Sequence, residues 1–175
     1  MLVAVEPEAE PGIESFEALY RSSCSDLHAY VRTLLGDSAS AEDVTALAFE
    51  RAYRRRASFD ARRGSPRAWL FGIARNAALD ELRRRRAAPA LAPEPVAPGE
   101  DPSDAAVRRA TVRRALEQLG ARDRELIALK FHAGLSNAEL ARVLGTSESN
   151  AGTRLHRAVS RLRRACTDTT EEDRP

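Results

Sequence analysis

Five prolines stand in the stretch AAPALAPEPVAPGEDPSDAA, residues 87–106, at positions 89, 93, 95, 98 and 102, with Gly99 among them. Proline has no amide proton and its ring collides with the preceding turn, so a helix cannot run through such a segment. It also contains nothing large to bury. Residues 89–106 are therefore expected to form an extended connector. That connector divides the chain into two modules, residues 13–88 and 107–166. Two acidic ends flank them: residues 1–12, expected to be disordered, and a tail at 167–175.

Both modules read as helical. Hydrophobic residues make up 43% of the chain but aromatics only 5%, so any core must be built chiefly from Leu, Ala and Val. The scarcity of strand formers beside abundant Ala, Leu, Arg and Glu favours an all-α fold. In the first module, Ile13, Phe16, Leu19, Leu27, Val31 and Leu34 recur at helical spacing and Gly36 ends the run. A second helix is expected from a Ser40 cap, with Val44, Leu47, Ala48 and Ala52 as its stripe. FDARRGSP (59–66) is a loop. Ser65 followed by Pro66 is a strong helix start, opening a third helix that buries Trp69, Leu70, Ile73 and Ala77 and ends in Arg83–Arg86. In the second module, Val107, Ala110, Ala115, Leu116 and Leu119 form one stripe before Gly120. Leu126, Ile127, Leu129 and Phe131 form the next before Gly134.

Charge follows the same division. The net +2 conceals 14 basic against 9 acidic residues over 16–88, and 13 against 5 over 107–166. The segments 1–15 and 89–106 carry four acids each and no base, and 167–175 carries four acids and one base. Two basic blocks between acidic segments point to a polyanionic partner. Fully extended, the twenty residues 87–106 span about 65–70 Å, close to two turns of B-form DNA.

The second module holds the most informative stretch, LSNAELARVLGTSESNAGTRLHRAVSRLRR, residues 135–164. Ser136 and Glu139 have capping-box spacing. Leu140, Val143 and Leu144 form an apolar stripe, and Ala141 is small where a second helix would cross. Gly145 permits the positive φ of a sharp turn. Thr146 or Ser147 caps a second helix whose inward face is Ala151, Leu155, Ala158, Val159 and Leu162. Its outward face is Ser149, Asn150, Gly152, Thr153, Arg154, His156, Arg157, Arg161 and Arg164. This is the division of labour a helix-turn-helix needs: small polar groups at the start of the second helix reach base edges, and arginines reach phosphate or guanine. A solvated amphipathic hairpin would share the pattern.

The order of these elements resembles the bacterial RNA polymerase sigma factors of the sigma-70 family, extracytoplasmic-function type. FEALYRSSCSDLHAYVRTLLGD, AEDVTALAFERAYRR and GSPRAWLFGIARNAALDELRRRR are similar to the family's domain 2. ALEQLGARDRELIALKFHAGLSNAELARVLGTSESNAGTRLHRAVSRLRR is similar to its domain 4. The likeness runs over about residues 13–166. It implies a protein that binds core RNA polymerase and directs promoter recognition and DNA melting, with the catalysis left to the polymerase. Lys130, Ser149, Asn150, Thr153, Arg154, His156 and Arg157 would then contact the −35 element. Ser58, Phe59, Arg62, Arg63, Arg75, Asn76, Arg83 and Arg84 would hold the melted −10 strand, with a flipped base in the loop at 58–65. Asp43, Leu47, Phe49, Glu50, Arg51 and Tyr53 would dock on the polymerase. Partners implied are core polymerase, promoter DNA and an anti-sigma protein, and the free chain is expected to be monomeric.

Two departures from the family pattern stand out. After AED the family usually has a polar or acidic pair where Ala46 and Leu47 stand, and Gly152 replaces a commonly basic residue. The first departure keeps two other readings open: a stand-alone helix-turn-helix regulator, or a module that sequesters an anti-sigma protein. An enzyme is the weakest reading, for no phosphate loop, metal-ligand cluster or nucleophile–base pair is present. Cys24 and His28 are one helical turn apart, but two ligands do not make a zinc site, and no cofactor is expected. MLVAV lacks the basic flank and apolar length of a signal peptide and no membrane-spanning run exists, so the cytoplasm is the expected location.

Overall fold

The computed structural model describes residues 15–87 and 104–172. The expected acidic segment 1–12 and most of the connector lie outside that range. Seven α-helices are described: α1 (Phe16–Leu35), α2 (Ser38–Arg54), α3 (Pro66–Ala87), α4 (Asp104–Gln118), α5 (Ala121–Phe131), α6 (Asn137–Leu144) and α7 (Glu148–Glu172). Two 3-10 turns, Arg56–Ser58 and Ala61–Arg63, occupy the loop before α3.

Local chemistry sets these boundaries. Ser15 caps α1 by accepting from the Ala18 amide at 3.1 Å, and Gly36 ends it at φ 81°. The α2 cap is Asp37 rather than the expected Ser40. The Asp37 carboxylate accepts from the Ser40 amide at 2.8 Å and places a negative charge at the helix N-terminus, which a serine cannot do. Arg85 then ties the end of α3 to this corner, donating to the Leu35 carbonyl (3.1 Å) and to Asp37 Oδ2 (2.6 Å). Burial alone would raise the Asp37 pKa, but bonds from Ser40 and Arg85 hold it below the ordinary value. At the start of α3, Ser65 Oγ accepts from the Ala68 amide at 3.2 Å, as the Ser-Pro pair requires.

α1, α2 and α3 enclose a core in which Leu27, Tyr30, Val31, Leu70 and Phe71 are fully buried. Ala41, Ala48, Ala52, Ala74 and Ala78, also inaccessible, let the helix backbones approach closely. In the second module α7 is the spine against which α4, α5 and α6 pack. It has a small cluster of its own: Ala115, Leu119, Ile127, Ala158 and Ala165, lined by Leu116 and Leu162. The expected stripes overshoot this cluster, since Val107 is 64% and Phe131 67% exposed.

The two helical modules also pack on one another. α5 packs on α1 and α6 on α3. Leu129, Ala133, Leu135, Leu140 and Ala151 belong to the same continuous core as Tyr30 and Phe71. The second module's own cluster is mostly alanine, which buries little area per residue, so closure onto the first module supplies apolar burial it lacks.

Candidate nucleic-acid and polymerase interface

The α6–turn–α7 unit is a helix-turn-helix. The capping box forms: Ser136 Oγ accepts from the Glu139 amide at 3.3 Å, and Glu139 Oε2 accepts from the Ser136 amide at 2.9 Å. Gly145, at φ 65°, makes the turn. Ser147 is the cap of α7, accepting from the Asn150 amide at 3.3 Å. Ser149, Asn150, Thr153, His156 and Arg157 are exposed on one side of the first turns of α7, while Ala151 and Ala158 are fully buried on the other. The Asn150 side chain is steadied by donating to Thr146 Oγ1 at 2.7 Å.

Other predicted contacts are differently placed. Arg154 is half-buried. Lys130 donates to the Leu135 carbonyl at 3.0 Å, steadying the α5–α6 turn. Arg161, expected on the outward face, pairs with Asp123 of α5. Gly152 is not simply a lost base. A Cβ there would lie 3.3 Å from Asn137 Nδ2, where the start of α6 crosses α7.

The loop before α3 and the exposed side of that helix line an open cleft of about 780 Å³. Phe59 and Trp69 form its apolar floor, their ring centroids 5.6 Å apart. Ser58, Arg62, Arg63 and Asn76 surround them. Arg62 pairs with Asp60, whose carboxyl is held below its ordinary pKa by hydrogen bonds from the Arg62 side chain and amide. Arg83 and Arg84 are exposed and pair with Asp80 (2.7 Å) and Glu81 (2.5 Å) of their own helix. Arg75 is not in the cleft lining; it pairs with Glu125 of α5 at 2.5 Å. Sequence reasoning assigned Trp69 and Ile73 to the core, on which both do pack in part, and passed over Gly72. Their spacing with Asn76 (69, 72, 73, 76) puts all four on one helical face.

On α2, Asp43, Glu50 and Tyr53 are exposed, Arg51 is half-buried, and Leu47 packs against the core. Phe49 is buried and acts from beneath, packing against Tyr20 (4.7 Å) and Phe16 (6.4 Å). Tyr53 stacks edge-on with Phe16 at 5.2 Å, and the Arg56 guanidinium lies 4.2 Å above its ring. The outcome is an aromatic and cationic patch shared by α1 and α2. Sequence reasoning had placed Phe16 in a core stripe. Ala46 is exposed, so the usual family charge is absent from this face.

Among the described residues no three His, Cys, Asp or Glu side chains converge on a metal-sized site. None of the described helices is long and apolar enough to cross a membrane.

Comparison with known proteins joins these surfaces. Residues 19–88 match the family model of sigma-70 region 2, and residues 109–162 match that of sigma-70 region 4. The ECF RNA polymerase sigma factor SigL of Mycobacterium tuberculosis is 36% identical over 153 residues, covering 83% of this chain and 85% of that protein. The structure of CnrH in complex with the cytosolic domain of CnrY is similar at TM-score 0.64 and 28% identity, covering 91% of this chain and 89% of CnrH. Sigma factor RpoE of Bartonella quintana, solved with the anti-sigma factor NepR, shares the fold at TM-score 0.67 and 24% identity, over 93% of this chain and all of that one. A helix-turn-helix with an exposed polar reading face, a basic cleft and an aromatic patch, lying almost wholly within the matched regions, have one reading: the chain belongs to the sigma-70 family, among the extracytoplasmic-function sigma factors that direct RNA polymerase to promoters.

Proposed function

We propose that three surfaces divide the work of promoter recognition. The start of α7, through Ser149, Asn150, Thr153, His156 and Arg157, enters the major groove of the −35 element. Arg154 and Lys130 position that helix from within the module. The cleft before α3 takes a flipped base of the −10 strand over Phe59 and Trp69, with Asn76, Ser58, Arg62 and Arg63 at its rim. Arg83 and Arg84 follow the phosphates, exchanging their exposed intrahelical ion pairs, which contribute little stability. The patch of Phe16, Tyr20 and Tyr53, rimmed by Asp43, Glu50, Arg51 and Arg56, docks on the polymerase. There, apolar contact replaces the charge missing at Ala46 and Leu47.

The observation that carries this reading is the cleft: an aromatic floor with exposed polar and cationic walls, on the module that also carries the aromatic patch. Base–aromatic stacking contributes about 1–3 kcal/mol per base, enough to offset the few kcal/mol of unstacking. Permanganate footprinting of the polymerase complex on a cognate promoter tests it. Asn76→Ala and Trp69→Ala should diminish thymine reactivity in the −10 region while leaving −35 protection in place. Asn150→Ala with Arg157→Ala should do the reverse. Equal loss at both elements from either set would refute the division.

Residence in the cytoplasm follows from the location of polymerase. An anti-sigma protein is a further proposed partner. CnrH, which covers most of this chain at 28% identity, was solved with the cytosolic domain of CnrY. Co-purification from the native host, with and without inducing stress, would identify such a protein.

A further inference from the structure

The turn of the helix-turn-helix sets more than the direction of α7. Thr146 and Ser147 are both fit to cap that helix, and Ser147 takes the role by accepting from the Asn150 amide at 3.3 Å. The Thr146 hydroxyl then serves a different partner. It accepts from Asn150 Nδ2 at 2.7 Å, one helical turn on. Thr146 is itself held from behind. Its amide donates to the Ala141 carbonyl at 2.9 Å, and the Gly145 amide to the Arg142 carbonyl at 3.3 Å. These two bonds are the Schellman pair that closes α6 around Gly145, at φ 65°. Thr146 is half-buried and Asn150 is exposed. An outward-facing amide is thus fastened to the end of α6.

Fastening matters because an asparagine amide has two unlike edges, a carbonyl acceptor and a pair of N–H donors. Free to turn about its last side-chain bond, it can offer either. The acceptor suits the amino groups of adenine and cytosine; the donors suit guanine N7 and O6 or thymine O4. Such a side chain discriminates poorly. With one N–H committed to Thr146, the amide cannot turn over without losing that bond. It then presents Oδ1 and the second N–H in a fixed order. Adenine is the single base that offers a matching donor and acceptor, N6–H and N7, in the major groove.

Taking as given that α7 enters the −35 groove, we infer that Thr146 is a positioning residue for promoter specificity, orienting the Asn150 amide so that it reads an adenine. Thr146 acts through Asn150 and need not touch a base. If the bond only braced the turn, its loss would weaken α7 and leave base preference as it was.

The test is selection from a double-stranded DNA library with a randomised core, by the full chain bound to core RNA polymerase, followed by sequencing. Wild type is compared with Asn150→Ala, Thr146→Val, Thr146→Ser and Arg157→Ala. Thr146→Val keeps the shape and loses the hydroxyl; Thr146→Ser keeps the hydroxyl. Asn150→Ala, at an exposed position, marks the base pair where preference disappears. Adenine is expected there in wild type and in Thr146→Ser. In Thr146→Val its preference should fall at least about five-fold, the lower end of what a bidentate base contact supplies. The rest of the motif should persist, which shows that the variant is folded. Any other base at the marked position in wild type overturns the inference, whatever the variants do. So does adenine preference undiminished in Thr146→Val, or lost equally in Thr146→Ser. A motif altered by Arg157→Ala but nowhere by Asn150→Ala overturns the inference and leaves α7 in the groove. A motif indifferent to both overturns the entry of α7 itself.

Discussion

The two modules solve the same problem with different means. The first places Leu27, Tyr30, Leu70 and Phe71 at the centre of three long helices and leaves its cleft and aromatic patch as surface. The second has one long spine, α7, and a cluster dominated by alanine. The second gains burial by leaning on its neighbour, through Leu129, Ala133, Leu135 and Leu140. A module with a thin core depends on its neighbour, so parting the two would uncover Leu129, Leu135 and Leu140.

The largest expected effect breaks the stronger side. Phe71→Ala removes a fully buried ring and should cost about 3–5 kcal/mol. Because the core is continuous, Trp69 fluorescence and helical circular dichroism should shift together in urea. A separate, unshifted transition for the second module would show that it stands alone. Next is Arg67→Ala, which removes charge-assisted bonds to both modules and should cost about 2–3 kcal/mol. It should also expand the chain in solution scattering; loss of stability without expansion would make Arg67 a brace of the first module only.

A smaller effect comes from pH. Burial holds His132 below its ordinary pKa of 6.5, opposed by Asp26 and reinforced by Arg32. A histidine with a lowered folded pKa favours the neutral form. Its contribution is therefore complete above pH 6.5 and is lost as pH falls through the folded value. The urea midpoint should drop from pH 7 toward pH 5.5, and less in His132→Gln; an equal drop in both would remove His132 from the explanation. The smallest change sharpens the thin side. Gly152→Ala gains helix propensity of up to about 1 kcal/mol, offset by a contact with the flexible Asn137 side chain. A net gain of a few tenths of a kcal/mol is expected by thermal melting, and a loss would show that Asn137 cannot yield.

The sequence made some features legible because their causes are local. Proline density located the break between the modules, Ser65-Pro66 the start of α3, and Ser136 with Glu139 and Gly145 the helix-turn-helix. What stayed hidden depended on residues distant in the chain. Arg75 looks like a strand-holding base until Glu125, fifty residues on, is beside it. Arg85 looks like a phosphate grip until Asp37 and Leu35 are seen to accept from it. Phe16 and Phe49 fit a core stripe equally well whether the ring is covered or borders a patch, since periodicity gives the face and not the cover. The closure of the modules had no sequence signal, since alanine and leucine at helical spacing do not say which neighbour they meet.

The central claim, that this chain delivers polymerase to promoters through two reading surfaces, is tested most directly by transcription in vitro with core RNA polymerase on a genomic promoter library. The account predicts transcripts starting downstream of a shared pair of spaced motifs, lost with Asn76→Ala or with Asn150→Ala and Arg157→Ala. Co-elution with core enzyme but no promoter-specific transcript, or transcripts indifferent to both sets of substitutions, would contradict it.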